Sequence, residues 1–296
     1  MKAFGFESAK DLAHAVALLA EHGAAAKVLA GGTDLLADLK FSGHAPGIVI
    51  DISRLDELKD IEVTGDGLHI GALVTHTEIM RSPVIQDLFP ALVEAAHTIG
   101  AVQTRNLGTL GGNLITCVPS MDSGPTLMAL EADVVVTSAA GARRVPLADL
   151  FTGPRRTSLK PGDLLTGIVI PKENLGKPAG FEKFGLRKGQ ALALVNAAAA
   201  VWVDERKGAF VKPRIALGAV APTVIRAPKA EAYLEGTAVG EDAMAEAGRI
   251  AATEAKPISD FRASADYRRE LIAVLVKRSL ATALARAGSR TRELVS

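Results

Sequence analysis

Two glycine pairs constrain this chain more than any other feature, because each lies where an apolar segment ends and a polar, helix-starting segment begins. The first pair is Gly31-Gly32 and the second is Gly111-Gly112. Glycine lacks a Cβ atom, so the backbone can turn sharply and present its N–H groups to an anion. One such loop alone is equally typical of a plain turn between a strand and a helix. Two of them predict a ligand with two adjacent phosphates, which means a dinucleotide.

Neither glycine loop matches a common phosphate-binding pattern. A Rossmann loop requires G-x-G-x-x-G between a strand and a helix, and a Walker loop requires a glycine, four intervening residues and then Gly-Lys-Ser/Thr. The sequence contains neither spacing. The two pairs therefore predict a different design, in which separate segments of the chain hold one dinucleotide.

The composition predicts a globular protein of ordinary character. The chain has 296 residues, 48% of them apolar, which is enough for two or three domains with proper cores. Lys+Arg number 34 against 33 Asp+Glu, so no basic surface for nucleic acid is predicted. The apolar stretches are too short for a membrane span, and the first residues lack the apolar segment of a signal peptide. We therefore expect a cytoplasmic protein.

Metal-binding and disulfide chemistry are not indicated for this chain. A single cysteine, Cys117, excludes an intrachain disulfide framework and an iron–sulfur cluster held by this chain's thiolates alone. The six histidines show no spacing typical of metal ligands, so no metal site is predicted. They are His14, His22, His44, His69, His76 and His97.

The periodicity of the sequence predicts an α+β fold in two domains. A helix is expected from a Ser8 cap to Gly23, and a hairpin through Asp66-Gly67. Further predicted strands are 27–30, 48–52, 134–136 and 164–170, and further predicted helices are 33–40, 84–98 and 122–131. A boundary segment at 172–178 is followed by three strands at 180–187, 194–204 and 210–220 and then by helices. The predicted domains are 1–174, with subdomains of about 1–55 and 56–174, and 175–290.

Residues 30–36 and 108–114 resemble the two FAD pyrophosphate loops of the flavoprotein subunits of molybdenum hydroxylases, the family of carbon monoxide dehydrogenase and xanthine dehydrogenase. The resemblance extends through Asp122, 164–171 and 181–184 and covers nearly the whole chain. It implies a two-subdomain FAD-binding domain of the vanillyl-alcohol-oxidase (PCMH) type. A small C-terminal domain of a three-stranded antiparallel sheet with helices would follow it.

The same resemblance implies electron transfer by FAD within a complex. A large partner subunit would carry a molybdopterin cofactor and hydroxylate the substrate, and a small partner would carry two 2Fe-2S clusters, in a dimer of heterotrimers. This chain would pass the electrons to an external acceptor, for which NAD⁺, quinone and oxygen stay open. Two alternatives also stay open: a stand-alone FAD oxidase of the same superfamily, and a non-catalytic assembly protein.

The resemblance assigns a set of residues to the cofactor. They are Leu29, Ala30, Gly31, Gly32, Thr33, Asp34, Leu35, Ile99, Gly108, Thr109, Gly111, Gly112, Asn113, Thr116, Asp122, Leu165 and Lys183. No catalytic side chain beyond the flavin is expected on this chain.

Five of these assignments have an ordinary structural alternative. Asp122 would bind the adenosine ribose, or else cap the following helix. Lys183 would lie near the flavin and favour its reduced anion, or else be a solvated strand lysine. Ile99 and Leu165 would surround the flavin or belong to the core, and Thr116 would bind the cofactor or cap a helix.

Overall fold

The computed structural model describes residues 2–41 and 45–295. Within them lie a small parallel sheet, a five-stranded antiparallel sheet, a four-stranded antiparallel sheet and a two-stranded ribbon. Helices are gathered between and behind the sheets and do not alternate strictly with the strands. The predicted α+β class is confirmed.

The first part of the chain forms the parallel sheet, in the strand order β1-β3-β2. Its elements are β1 (Gly5–Ser8), α1 (Leu12–His22), β2 (Ala26–Leu29), α2 (Leu35–Phe41) and β3 (Ile48–Asp51). Val49 and Ile50 are buried in the central strand, and the apolar face of α1 covers the sheet through Leu18 and Leu19. The first glycine loop joins β2 to α2, at the ends of the parallel strands.

The middle of the chain forms the antiparallel sheet, in the order β4-β5-β10-β6-β7. The strands are β4 (Ile61–Thr64), β5 (Gly67–Gly71), β6 (Asp133–Ser138), β7 (Gly141–Pro146), β8 (Phe151–Gly153), β9 (Arg156–Thr157) and β10 (Leu164–Pro171). The helices are α3 (His76–Arg81), α4 (Pro83–Leu88), α5 (Pro90–His97), α6 (Val102–Leu107), α7 (Leu110–Thr116), α8 (Ser123–Ala129) and α9 (Leu147–Leu150). The second glycine loop lies at the junction of α6 and α7.

The C-terminal part contains the three predicted long strands and a short fourth one, in the order β11-β12-β13-β14. The elements are β11 (Ala179–Gly185), β12 (Ala193–Asp204), β13 (Ala209–Gly218), β14 (Ile225–Arg226), α10 (Pro228–Leu234), α11 (Glu241–Glu254) and α12 (Ala265–Val295). The sheet is therefore four-stranded, because two residues beyond the predicted meander pair with Ala216 and Leu217.

The alanine-rich strand β12 is buried on both faces. Val195, Ala197 and Ala199 pack against the C-terminal helices, whereas Ala198 and Ala200 belong to the core of the middle region. Small side chains allow both layers to approach this strand closely. The C-terminal sheet is thereby pressed against the region that carries the second glycine loop.

Two local predictions are wrong. Ser8 ends strand β1, which pairs with β3, and Asp11 is the N-cap of α1, where its carboxylate accepts from the His14 N–H at 2.7 Å. The helix predicted over 84–98 is two helices, because Phe89 adopts a non-helical conformation directly before Pro90.

Candidate functional site

The two glycine loops meet at the wall of one cavity of about 890 Å³. Contact between them is tight, since a Cβ added to Gly31 would lie 1.7 Å from the carbonyl oxygen of Leu107. Only glycine permits this approach of the first loop to the residue that precedes Gly108. Cavities of this size are typical of cofactor sites.

The first loop presents backbone donors. None of the N–H groups of residues 31–34 has a hydrogen-bond acceptor among the residues that the structure describes. Gly32 has a φ of +72°, a backbone conformation that residues with a Cβ atom rarely adopt. The turn at Gly32 directs the chain towards the start of α2. Burial raises the pKa of the Asp34 carboxyl, and the Arg155 guanidinium opposes the shift. The loop offers four successive donors to an anion.

In the second loop the backbone donors are already used. Five N–H groups donate within the protein: Gly108 to Thr104 O (2.7 Å), Leu110 to Val74 O (2.8 Å), Gly111 to Ala72 O (2.9 Å), Gly112 to Thr109 Oγ1 (3.1 Å) and Asn113 to Thr109 O (3.0 Å). That backbone groups of Gly111, Gly112 and Asn113 hold a phosphate stays a prediction, and these N–H groups would have to share their present acceptors with the phosphate.

Side chains take the place of the backbone in the second loop. Thr109, Asn113 and Thr116 line the cavity. The Ser123 hydroxyl donates to Asn113 Oδ1 at 2.6 Å, which leaves the Asn113 amide nitrogen as a donor, and the Thr116 hydroxyl donates to Gly112 O at 2.9 Å. The second loop therefore offers hydroxyl and amide groups held in place by the protein.

Most of the residues assigned to the cofactor line this cavity. They are Ala30, Gly31, Gly32, Thr33, Asp34, Leu35, Ile99, Gly108, Thr109, Gly112, Asn113 and Thr116. Five others do not: Leu29, Gly111, Asp122, Leu165 and Lys183. Their contact with the cofactor stays a prediction, as does that of the lining residues.

Asp122 and Lys183 form a buried ion pair behind the second loop. Lys183 Nζ lies 2.5 Å from Asp122 Oδ2 and 3.2 Å from Thr98 O, and both side chains are less than a tenth exposed. Asn196 Nδ2 donates to Asp122 Oδ1 at 2.9 Å. Burial raises the pKa of Asp122, and the Lys183 ammonium opposes it. Lys183 is therefore not a solvated strand lysine.

The other three residues outside the cavity lining have structural roles. Leu29 ends β2, and its carbonyl accepts from Ile52 N–H at 2.9 Å. Gly111 is buried against Ala72, and Leu165 is a core residue at the irregular pairing of β10 with β6. These contacts agree with the core alternative for Leu165.

The sequence analysis missed several residues of the cavity wall. His76 is buried at the start of α3, and Thr104 lies on α6. Arg155 reaches across from the β8–β9 turn, with φ +56°, and binds Asp38 at 2.9 Å. No spacing rule connects these positions with the glycine pairs, because long-range folding alone brings them together.

The fold and the two-loop cavity define an FAD-binding flavoprotein, and comparisons with known proteins give its family. A family model described as FAD binding domain in molybdopterin dehydrogenase matches residues 2–173, and one described as CO dehydrogenase flavoprotein C-terminal domain matches residues 181–283. The chain belongs to the family of FAD-binding medium subunits of molybdenum hydroxylases. It is thus an oxidoreductase subunit with FAD as its cofactor.

Relatives and solved structures match over almost the full length. The carbon monoxide dehydrogenase medium chain of Hydrogenophaga pseudoflava is 34% identical, covering 96% of this chain and 98% of the relative. The 6-hydroxypseudooxynicotine dehydrogenase complex subunit alpha of Paenarthrobacter nicotinovorans is also 34% identical, over 96% and 95%. A structure of the Hydrogenophaga pseudoflava carbon monoxide dehydrogenase superposes with a TM-score of 0.91 at 35% identity, covering 96% and 98% of the two chains.

The residues present fit an FAD pyrophosphate. Four successive N–H groups that find no acceptor within residues 2–41 and 45–295 lie at one wall of the cavity, and oriented hydroxyl and amide groups lie at the other. An anion satisfies such donors, which otherwise would be costly to shield from water. Among the described residues, no helix combines the length and apolar character needed to cross a membrane.

Proposed function

We propose that this chain holds FAD between the two loops and passes electrons from 2Fe-2S clusters of a small partner to an external acceptor. In this proposal a large partner carries the molybdopterin cofactor, and the complex is a dimer of heterotrimers in the cytoplasm. The observation that carries the proposal is that two sets of donors line one cavity. They are the N–H groups of residues 31–34, which have no acceptor among the described residues, and the oriented side chains of the second loop.

Bound FAD supplies the redox chemistry, since flavins exchange electrons with both one-electron and two-electron partners. The protein's own residues bind and orient it. The N–H groups of residues 31–34 hold one side of the pyrophosphate, and Thr109 and Asn113 hold the other. Gly31 keeps the two loops in contact, so both sets of donors face the same anion.

The relatives support the multi-subunit assignment over a stand-alone oxidase. Their names describe a medium chain of carbon monoxide dehydrogenase and a subunit of a dehydrogenase complex. The four-stranded C-terminal sheet is packed on both faces, against its own helices and against the middle region. It leaves little room for a separate substrate-binding domain.

Purification tests this proposal directly. The chain, expressed with the genes beside it, should yield a complex with FAD in a 1:1 ratio to this chain, with molybdenum and with iron. Acid precipitation should release the flavin, because the contacts proposed for FAD are hydrogen bonds and no covalent link is among them. A chain that binds no flavin would contradict the FAD assignment, and a flavin-loaded chain that purifies alone, with activity of its own, would support the stand-alone alternative.

A further inference from the structure

His76 is a buried histidine in the wall of the cavity that the two glycine loops share. It is 2% exposed and is the first residue of α3. Its backbone N–H donates to Gly108 O at 3.1 Å, and its ring lies beside Gly108. The imidazole is therefore fixed beneath the second glycine loop.

Nδ1 of the His76 ring is enclosed by protein atoms and has no hydrogen-bond partner among the described residues. Nε2 is bonded to Cδ2, the ring atom that lies next to Gly108. Burying a polar group without a partner is costly, and buried histidine nitrogens are normally paired. Since Nδ1 has no partner and is enclosed, Nε2, on the side of the cavity-lining Gly108, is the nitrogen that can meet a partner in the cavity.

The surroundings determine the form of the ring. Burial, with a smaller contribution from the Arg105 guanidinium, lowers the pKa of His76 to about 4. The ring is therefore neutral at pH 7 and carries one N–H donor. An enclosed N–H with no acceptor is costly, so the hydrogen resides on Nε2, the nitrogen on the side of Gly108, and not on Nδ1.

We propose that His76 donates its Nε2–H to a phosphate oxygen of FAD, as a neutral ligand beneath the second loop. This inference rests on the proposed function, because it requires FAD in this cavity. The ring lies next to Gly108, which also adjoins Thr33 of the first loop. His76 thus adds a donor at the junction of the two loops, beside the Thr33 hydroxyl of the first loop.

Binding measurements test this assignment. FAD is titrated into the apo forms of wild type, His76→Leu and the control His69→Leu, whose ring lies on β5 outside the cavity lining. A hydrogen bond to a charged acceptor predicts an affinity loss of about tenfold to hundredfold for His76→Leu. The control should bind FAD like wild type. Equal affinity of His76→Leu and wild type would overturn the inference while leaving the FAD assignment intact.

NMR of ring-¹⁵N-histidine wild type gives a second measurement that does not depend on a variant folding correctly. The His76 signals are assigned by their loss in His76→Leu, or by selective relaxation if that variant does not fold. In apo protein they should show a neutral ring protonated on Nε2, and FAD should shift the Nε2 signal as a hydrogen bond forms. An Nε2 signal that does not move, in a sample saturated with FAD, contradicts the inference. Failure of wild type to bind FAD at all would overturn both the inference and the proposed function.

Discussion

The two glycine loops resemble each other in sequence but differ in how they can hold an anion. The first has four successive N–H groups without an acceptor among the residues that the structure describes, whereas five N–H groups of the second donate to neighbouring residues. The first loop can therefore present backbone donors to an anion, although only glycine fits at position 31. The second loop presents hydroxyl and amide side chains, and the ion pair of Asp122 with Lys183 lies behind it. Close packing at a glycine pair is thus common to both loops, whereas the groups that each loop can offer to an anion differ.

The buried ion pair behind the second loop predicts the largest effect. Lys183→Met leaves the Asp122 carboxylate buried without its counter-charge, which should lower the free energy of unfolding by about 3–5 kcal/mol. Urea unfolding of the apo protein measures this loss. The exposed control Lys188→Met should unfold like wild type, and Asp122→Asn added to Lys183→Met should recover part of the loss. Wild-type stability of Lys183→Met would mean that this charge does not support the second loop.

The neutral His76 beneath the second loop predicts a pH dependence. The unfolded chain binds a proton near the ordinary pKa of 6.5, whereas the folded chain binds it only near 4. The unfolded state thus holds more protons in this window, and the free energy of unfolding falls as pH drops from 6.5 to 4. The fall is about 3 kcal/mol.

Other groups titrate in the same window, so the comparison is with His76→Leu. Arg105 is the charged group that acts on the ring. Denaturant unfolding at half-unit pH steps should show a smaller decline for His76→Leu than for wild type. Parallel curves for the two proteins would contradict the buried neutral ring.

Contact between the loops is tested at Gly31. In Gly31→Ala the methyl group meets the Leu107 carbonyl, so the loops must separate. We expect FAD affinity to fall by about a hundredfold, which corresponds to about 2.7 kcal/mol. The matched control is Gly65→Ala, where an added Cβ meets nothing within 4 Å. Flavin fluorescence titration gives both affinities, and unchanged binding by Gly31→Ala would show that the loops act independently.

The smallest effect distinguishes side-chain from backbone binding. Asn113→Ala removes the amide that Ser123 orients, which should weaken FAD by about tenfold. Asp34→Ala in the first loop keeps the backbone donor and should weaken it less, or strengthen it by removing a carboxylate from a phosphate site. Equal losses of FAD affinity in Asn113→Ala and Asp34→Ala would contradict the proposed difference between side-chain and backbone binding.

The sequence was sufficient for the parts that local patterns determine. The presence of the predicted strands, the hairpin through Asp66 and the two glycine loops follow from periodicity and turn chemistry, and the structure has them, with strand ends shifted by one or two residues. Local patterns did not predict the ion pair of Asp122 with Lys183, 61 residues apart, or the position of His76 against Gly108. Such contacts depend on which elements the topology brings together, and no single-segment rule encodes them. The same reason explains why the helix cap predicted at Ser8 is wrong: Ser8 belongs to β1 and pairs with β3.

The pair of Asp122 and Lys183 also limits how this chain can be divided. The carboxylate belongs to the glycine-loop half and its two partners, Lys183 and Asn196, to the other half. Ala198 and Ala200 of β12 likewise complete the core of the loop-bearing half. A truncation after β10 would therefore expose apolar surface and leave the Asp122 carboxylate without Lys183 and Asn196. The two halves are therefore not independent modules. A chimera that combines halves of two relatives must keep a matching acidic and basic pair at the positions of Asp122 and Lys183.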